Sequence, residues 1–419
     1  MLCDCRGAMD RYIGGLLLAA LLVRGGLDLF WWVNLGGFSP GQVVSAALVV
    51  LFYGLAAPSW REIPPMFGAP ALVFTLLVGG ACFRGPDDSV LASVRWALLY
   101  LGPLAFGAAV ITSRVRAEIW IRAILVAACV PLVWALILLA AGQPQELFLH
   151  GYHRLLGPYK NHHMLAVISS GVGSLSVYAV FREKGPWRLL GLATGIACAI
   201  CLFNTYVRTS WLLIAGFVAL WLVAEKRWSL VGLATALGLA AFALSPTLQD
   251  RFSDVANLVT LTPPEAGWGS LGSSRLHIWT DSFANFSVGG WSSFAFGNGL
   301  GAHMVLHKEL DPHSEYLALL YQLGLAGPIT YLWLFGAAAF MGLRRGTALG
   351  NYVFALAVMT AVTCLISNDF LTRVTFAWWF WAVVALAWTD PAEGLGDRRN
   401  QDQSGDDSDG LGDLGGQVG

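Results

Sequence analysis

Residues 118–141 read EIWIRAILVAACVPLVWALILLAA, and this apolar run decides the fold class. It has the length that a helix needs to cross the roughly 30 Å of hydrocarbon in a bilayer. Similar runs recur along the chain and predict an all-α integral membrane protein with about twelve transmembrane helices. They lie at roughly 12–34, 41–57, 67–84, 93–112, 118–141, 161–181, 187–205, 208–224, 229–245, 316–342, 351–367 and 374–389.

The composition agrees with a membrane bundle. Hydrophobic residues make up 56% of the 419 residues and charged residues 12%, and the mean hydropathy is +0.62. A soluble domain normally carries about twice that share of charge, so a soluble multidomain protein is a poor fit. The net charge of −1 gives no support for a nucleic-acid partner.

Basic residues orient the predicted spans, because cytoplasmic loops of membrane proteins are enriched in Lys and Arg. Both termini then lie in the cytoplasm, and short basic turns such as Arg344-Arg345 fall inside. The predicted organisation is spans one to nine over 1–245, a large external loop with helical segments over 246–315, spans ten to twelve over 316–389, and a disordered cytoplasmic tail over 390–419.

The histidines are concentrated on one side of this topology. All eight fall in two hydrophilic stretches, roughly 142–163 and 246–315, which the orientation places on the external face. Titratable groups on one side of an inert bundle indicate a reaction site rather than a transport path. They are His150, His153, His162, His163, His277, His303, His307 and His313.

Three predicted spans start on this face beside basic residues. The sixth follows Arg154, Lys160 and Asn161, the eighth starts at Arg208, and the tenth starts around His313. Helix N-termini expose unpaired N–H groups that favour anions, and arginine adds a charged fork of donors. We hypothesise that the three starts converge into a diphosphate site.

His313 has the most specific local context of the histidines. Asp311 suits an N-cap and Pro312 the first helical position, which puts His313 in the first turn. The helix dipole and nearby arginines would disfavour the imidazolium form, so the ring would be available as a general base. Glu315 would oppose this effect if its side chain folded back.

The same residue types have simpler explanations. An arginine at the interface often anchors to lipid headgroups, and a histidine at a helix start is often a cap or surface residue. His162 and His163 should diverge on a helix, and the pair His303/His307 has no nearby carboxylate of a metal motif, so no metal site is predicted. The glycines of 297–301 do not follow a predicted strand, which argues against a nucleotide-binding turn.

Between residues 150 and 330 the chain carries, in order, Arg154-x-x-Gly157 with Asn161, Arg208 at a helix start, Arg275-x-x-x-Trp279, Gly297-x-Gly299-x-Gly301, His313-Ser314-Glu315-Tyr316-Leu317 and Gly324-x-x-Gly327. In this order the motifs resemble the O-antigen ligase and polymerase superfamily. Ser314 departs from the asparagine that commonly follows the histidine in that family.

The resemblance implies a metal-independent, inverting glycosyltransferase bundle of the GT-C type, without a cofactor, in the bacterial inner membrane. Its large loop between spans nine and ten and its active site would face the periplasm. The donor would be a polysaccharide on undecaprenyl diphosphate and the acceptor a sugar hydroxyl of lipid A-core in lipopolysaccharide biosynthesis. The sequence does not fix the oligomeric state, for which a monomer is favoured. The catalytic residues would be His313 as base with Arg208 and Arg275, and the diphosphate and glycan would bind Arg154, Lys160, Asn161, His163 and Trp279.

Two other readings stay open at this point. An O-antigen polymerase or a protein O-oligosaccharyltransferase would share the chemistry and differ only in the acceptor, and the compact length without a large C-terminal external domain favours the ligase. A polysaccharide or lipid transporter would place ionisable residues at mid-membrane. In this chain, Arg24 and Asp28 are the main ionisable residues within a predicted span.

Overall fold

A computed structural model describes most of the apolar chain and parts of the connecting loops. The described residues are 12, 14–23, 26, 40–84, 90–113, 115–142, 145–147, 153–159, 161–245, 249, 271–288, 290–302, 313–367 and 374–389. The helices are α1 Gly14–Val23, α2 Pro40–Ala56, α3 Pro65–Cys82, α4 Val90–Thr112, α5 Ala117–Ala140, α6 His162–Arg182, α7 Gly185–Thr205, α8 Arg208–Ala224, α9 Trp228–Leu244, α10 Leu271–Val288, α11 Gly290–Phe296, α12 Glu315–Leu323, α13 Ala326–Arg345, α14 Ala348–Ile366 and α15 Val374–Thr389.

Seven of the described helices are long and apolar enough to cross a membrane by length and composition. They are α3, α4 from Ser93, α5, α6, α7, α13 and α14. The prediction of an all-α integral membrane protein is confirmed in this general form. The number twelve stays a prediction, because α1, α2, α8, α9 and α15 are apolar helices of only 10–17 residues in their described parts.

The centre of the bundle is built around α6 and α15. In α15 the described side chains from Phe376 to Trp388 are all buried. A glycine lets the two helices approach closely, since a Cβ on Gly171 of α6 would overlap the Phe376 ring. The rings of Phe106 in α4 and Trp378 in α15 stack with centroids 5.1 Å apart. Dense aromatic packing of this kind gives the site a rigid support.

One end of the bundle, which we call the inner end, is held by charged pairs. Arg122 of α5 donates two hydrogen bonds, of 3.1 and 2.7 Å, to the Glu183 carboxylate just after α6. Arg182 donates to Glu225 after α8, and Asn351 of α14 donates to the same carboxylate at 2.8 Å. These contacts join α5, α6, α8 and α14 at the end of α6 that is opposite to His162.

Two features differ from the sequence predictions. The predicted span over 316–342 is two helices, α12 and α13, which are separated at Gly324, where φ is +68°. In addition, a small antiparallel hairpin of β1 Gln145–Leu147 and β2 His153–Leu155 pairs Glu146 with Arg154. The hairpin lies in a stretch that was predicted only as hydrophilic, and a three-residue strand is too short to produce a readable alternation.

Candidate functional site

The start of α6 brings Arg154 and His162 into direct contact. The Arg154 guanidinium Nη1 lies 3.0 Å from Nε2 of His162, because β2 returns the chain beside the first turn of α6. A guanidinium can only donate, so Nε2 of His162 accepts and the ring is neutral with its proton on Nδ1. His162 is buried, and its neutral ring contributes no negative charge to this contact.

Asn161 is the N-cap of α6. Its side-chain oxygen accepts from the backbone N–H of His163 at 2.7 Å, the usual role of asparagine at a helix start. The expected divergence of His162 and His163 is wrong, because their ring centroids are only 4.3 Å apart. Lys160 lies outside the described residues.

The start of α8 combines a cation with hydrogen-bond donors. Arg208 is the first helical residue, and the N-cap Val207 makes no side-chain cap hydrogen bond. The next two residues, Thr209 and Ser210, are buried, and their hydroxyl oxygens have no hydrogen-bond partner among the described residues. A helix start without a side-chain cap suits an anion. Its backbone N–H groups are available as donors, and the positive end of the helix dipole lies at the same place. Adjacent hydroxyls are further possible donors.

The starts of α6 and α8 lie side by side. Ala166 in the first turns of α6, Leu202 near the end of α7 and Val207 before α8 form one buried apolar cluster. The indole of Trp211 donates to the Leu202 carbonyl at 3.0 Å, which fastens α8 to α7. Arg208 therefore begins its helix beside the end of α6 that carries His162, as the hypothesis of converging helix starts expects for these two.

His313 lies before the start of α12, outside its first turn. Ser314 is the N-cap, with its hydroxyl accepting from Leu317 N–H at 3.5 Å, and the helix begins at Glu315. The predicted placement of His313 in the first turn is therefore wrong. The residue is half-buried in a left-handed conformation with φ of +48°. Asp311 and Pro312 lie outside the described residues.

The start of α12 is anchored in the bundle by Glu315. The side chain is 1% exposed, and its Oε2 accepts from the Tyr331 hydroxyl and the Cys364 thiol, each at 3.4 Å. Its backbone N–H donates to the Ser367 carbonyl at 3.3 Å. The carboxyl group thus reaches α13 and α14, and it supports the segment that carries His313.

These anchors place the start of α12 at the same end of the bundle as α6 and α8. Helix α14 is antiparallel to α8, since Asn351 near its beginning contacts Ala224 and Glu225 where α8 ends. Ser367, just beyond the end of α14, therefore lies at the same end of the bundle as Arg208. Its backbone carbonyl accepts the hydrogen bond from the Glu315 N–H. We call this the outer end of the bundle.

Arg275 and Trp279 share a face of α10. Ser282 and Phe286 continue that face at helical spacing and are buried, whereas Thr280, Asp281 and Phe283 are exposed. The face packs on α12, where the Tyr321 hydroxyl donates to the Ser282 carbonyl and the rings of Phe286 and Tyr321 lie 5.4 Å apart. Arg275 and Trp279 are half-buried, on the same side of α10 as this contact.

The glycine-spaced turn at 297–301 joins the end of α11 to α12. Its three glycines have positive φ, and Gly297 approaches the backbone of Gln322 and Gly324 too closely for a Cβ. Asn298 N–H donates to the Tyr321 carbonyl at 2.8 Å, and Gly301 N–H donates to the Gln322 side chain at 2.9 Å. The turn follows a helix, so its geometry explains the glycines without a nucleotide.

Sequence reasoning missed three residues of this region. His162 was not assigned a role, although it receives the hydrogen bond of Arg154. Thr209 and Ser210 were not assigned a role either. Polar residues directly after Arg208 were the available signal for the hydroxyls, whereas the contact of His162 depends on a strand that the sequence did not reveal.

The described part of the chain contains no group of three His, Cys, Asp or Glu residues placed to hold a metal ion. His150, His303 and His307 lie outside the described residues, as do the side chains of His153 and His277. Metal independence therefore stays a prediction, and it needs a test of activity.

Comparison with known proteins supports the resemblance. A family model described as O-antigen ligase matches residues 193–332. The matched range runs from α7 into α13 and contains Arg208, Arg275 and His313, whereas Arg154 and His162 precede it. No curated protein matches the chain.

Proposed function

We propose that this chain, which an O-antigen ligase family model matches over residues 193–332, is an O-antigen ligase. It would transfer a polysaccharide from undecaprenyl diphosphate to a sugar hydroxyl of lipid A-core on the periplasmic face of the bacterial inner membrane. The observation that carries the proposal is the start of α8, where Arg208 precedes two buried hydroxyls beside the Arg154–His162 pair.

The diphosphate would bind across the starts of α6 and α8. Arg208 supplies a charged fork of donors, and the first turn of α8 adds backbone N–H groups with the hydroxyls of Thr209 and Ser210. Arg154, held by His162, faces the same end of the bundle. Such donors would stabilise the negative charge that develops on the leaving diphosphate in the transition state. Arg275 would approach from α10, with Trp279 beside it against the glycan.

His313 would act as the general base. The acceptor hydroxyl loses its proton to the imidazole while its oxygen bonds to the anomeric carbon of the donor, and the bond from that carbon to the diphosphate oxygen breaks. One direct displacement inverts the anomeric centre. Proton transfer to a positioned histidine typically contributes a factor of about 10²–10⁴, and the Glu315 anchors hold the neighbouring backbone in place.

The acceptor decides between the ligase and its relatives. Purified protein in liposomes would receive one lipid-linked glycan as donor and either lipid A-core or a second lipid-linked glycan as acceptor. The ligase proposal expects transfer to lipid A-core alone and no change on adding EDTA. Transfer to the second lipid-linked glycan would identify a polymerase, and strict dependence on a divalent ion would contradict the metal-free mechanism.

A further inference from the structure

Helix α11 lies at the outer end of two candidate membrane spans. Leu325 N–H, just before α13, donates to the Phe294 carbonyl at 2.9 Å, and Arg84, two residues after α3, donates to the Phe296 carbonyl at 3.0 Å. Helix α13 begins at the outer end, because it ends at Arg345, directly before α14 starts at the inner end. Its 20 residues give roughly 30 Å, the hydrocarbon thickness of a bilayer. Helix α11 therefore lies at the level where the hydrocarbon meets the lipid headgroups.

The side chains at this junction form an exposed aromatic surface. Phe83 is 92% exposed, Trp291 83% and Phe296 60%. The rings of Trp291 and Phe294 lie 5.6 Å apart, and the sequence of α11, GWSSFAF, has no charged residue. We call Phe83, Arg84, Trp291, Phe294 and Phe296 the interfacial patch. Exposed rings are unfavourable in water, whereas tryptophan and phenylalanine on the exposed side of a helix are typical of helices that lie in the membrane surface.

Arg84 adds a cation to the interfacial patch. Its side chain is exposed, and its guanidinium lies over the Phe296 ring, 5.7 Å from the ring centroid. In the described part of the chain its contacts are carbonyl oxygens and this ring, with no carboxylate among them. Arg122 and Arg182 at the inner end both meet carboxylates instead. The guanidinium of Arg84 therefore suits an external anion, and its planar fork matches a phosphate group.

We propose that the interfacial patch is a binding surface for the phospholipid bilayer. Arg84 binds a lipid phosphate, and the rings of Phe83, Trp291 and Phe296 lie among the glycerol groups and the first acyl carbons. The occupant is lipid and not a second protein, because the patch surrounds the ends of α3 and α13, where the hydrocarbon of the bilayer stops. The combination of a phosphate-binding cation with exposed rings fits both layers of a lipid headgroup region.

The interfacial patch has a consequence for the neighbouring helix α10. The rings of Phe286 in α10 and Phe294 in α11 lie 5.9 Å apart, so lipid that holds α11 also fixes the height of α10 above the membrane. Helix α10 carries Arg275 and Trp279. The diphosphate of a lipid-linked donor lies at the level of the phospholipid phosphates. The patch would keep Arg275 at that level, and this consequence rests on the proposed function.

The position of α11 can be measured without glycan transfer. An environment-sensitive fluorescent amino acid replaces Trp291 in one variant and the exposed Asp281 of α10 in a matched control. In liposomes, phospholipids with a nitroxide next to the headgroup should quench the probe at position 291, and aqueous iodide should quench the probe at position 281. Equal quenching by iodide at the two positions would overturn the proposal. Quenching of position 291 by neither reagent would also overturn it, because protein would then cover the patch.

The role of Arg84 is tested by the phospholipid that stays bound. After purification from phosphatidylglycerol vesicles, Arg84→Gln should retain fewer phospholipid molecules than the wild type in native mass spectrometry. The control is Arg116→Gln, because Arg116 is exposed but lies 3.9 Å from the Glu118 carboxylate. Equal retention by the wild type and Arg84→Gln, or an equal loss in the two variants, would overturn the assignment of Arg84.

A transfer assay tests the consequence for the donor. The double variant Trp291→Ser/Phe296→Ser should raise the KM for a long-chain lipid-linked donor in liposomes about two- to tenfold, as expected for losing two rings from a membrane surface. With a short-chain donor in detergent its KM should equal that of the wild type, because no bilayer is then present. An unchanged KM in liposomes would reject the consequence for Arg275. Absence of glycan transfer in the wild type would reject the proposed function and leave the quenching result to decide the interfacial patch.

Discussion

The two ends of the α6–α8 region differ in the groups that their arginine side chains contact. At the inner end, Arg122 meets the carboxylate of Glu183, and Arg182 meets that of Glu225. At the outer end, Arg154 donates to a neutral imidazole, and the hydroxyls after Arg208 have no hydrogen-bond partner among the described residues.

The difference distinguishes structural charge from functional charge. A guanidinium paired with a carboxylate joins helices and leaves little positive potential for a ligand. Buried donors at a helix start, by contrast, are preorganised for an anion. Substitutions at the outer end should therefore change catalysis, and substitutions at the inner end should change stability.

The largest effect is expected for His313→Ala. Loss of the base should lower the turnover number by about 10²–10⁴-fold, while binding of the lipid-linked donor is retained, because the proposed diphosphate contacts come from Arg154, Arg208 and Arg275. Single-turnover transfer and donor binding would be measured on the same preparation. Full transfer by the variant would show that the base is another group.

Arg208→Ala should lower kcat/KM by about 10²–10³-fold, the usual result of removing a donor that stabilises a developing anion. Arg208→Lys should recover only part of the loss, because an ammonium group lacks the planar fork of a guanidinium. Arg95→Ala is the matched control, since Arg95 is exposed near the start of α4. An equal loss in the control would indicate a general effect of positive charge.

The Arg154–His162 contact offers an intermediate effect. His162→Leu removes the acceptor and should raise the KM for the donor about tenfold, corresponding to roughly 1.4 kcal/mol. His162→Gln retains an acceptor and should stay close to the wild type. The contact would have no role in donor binding if both variants gave the wild-type KM.

At the inner end, Arg122→Ala should reduce stability and leave the catalytic constants of the folded protein unchanged. It strands the Glu183 carboxylate, whose side chain is 7% exposed, but the Arg122 side chain is 33% exposed and solvent moderates the pair. A loss of about 1–2 kcal/mol is expected in the free energy of unfolding in detergent. A double-mutant cycle with Glu183→Ala would isolate the pair, and a changed kcat in the folded protein would contradict its structural role.

The smallest effect is expected inside the bundle. The hydroxyls of Ser174 and Tyr352 lie 2.9 Å apart and join α6 to α14. Tyr352→Phe should lower stability by about 0.6 kcal/mol, the average for such hydrogen bonds between membrane helices, with transfer activity unchanged. A measurable loss of activity would show that this contact is coupled to the outer end.

Much of the site could be predicted because its residues stand at helix starts. Arg208 begins α8 as expected, and Asn161 stands directly before α6, although its side chain caps the helix. The His313 segment was less predictable, since Asp311-Pro312 and Ser314 are both plausible starts and the sequence alone does not choose between them. The contacts of Glu315 with Tyr331 and Cys364 favour the later start, because they draw the first turn into the core.

The sequence by itself determined the helical membrane class and the concentration of histidines and unusual arginines in a few polar segments. These are local properties, since the length of an apolar run and the position of a charge do not depend on distant residues. Only the tertiary structure decided that Arg154 meets His162, that α12 breaks from α13 at Gly324, and that the starts of α8 and α12 lie at the same end of the bundle. Each of these depends on surfaces that meet only when helices far apart in the sequence pack together.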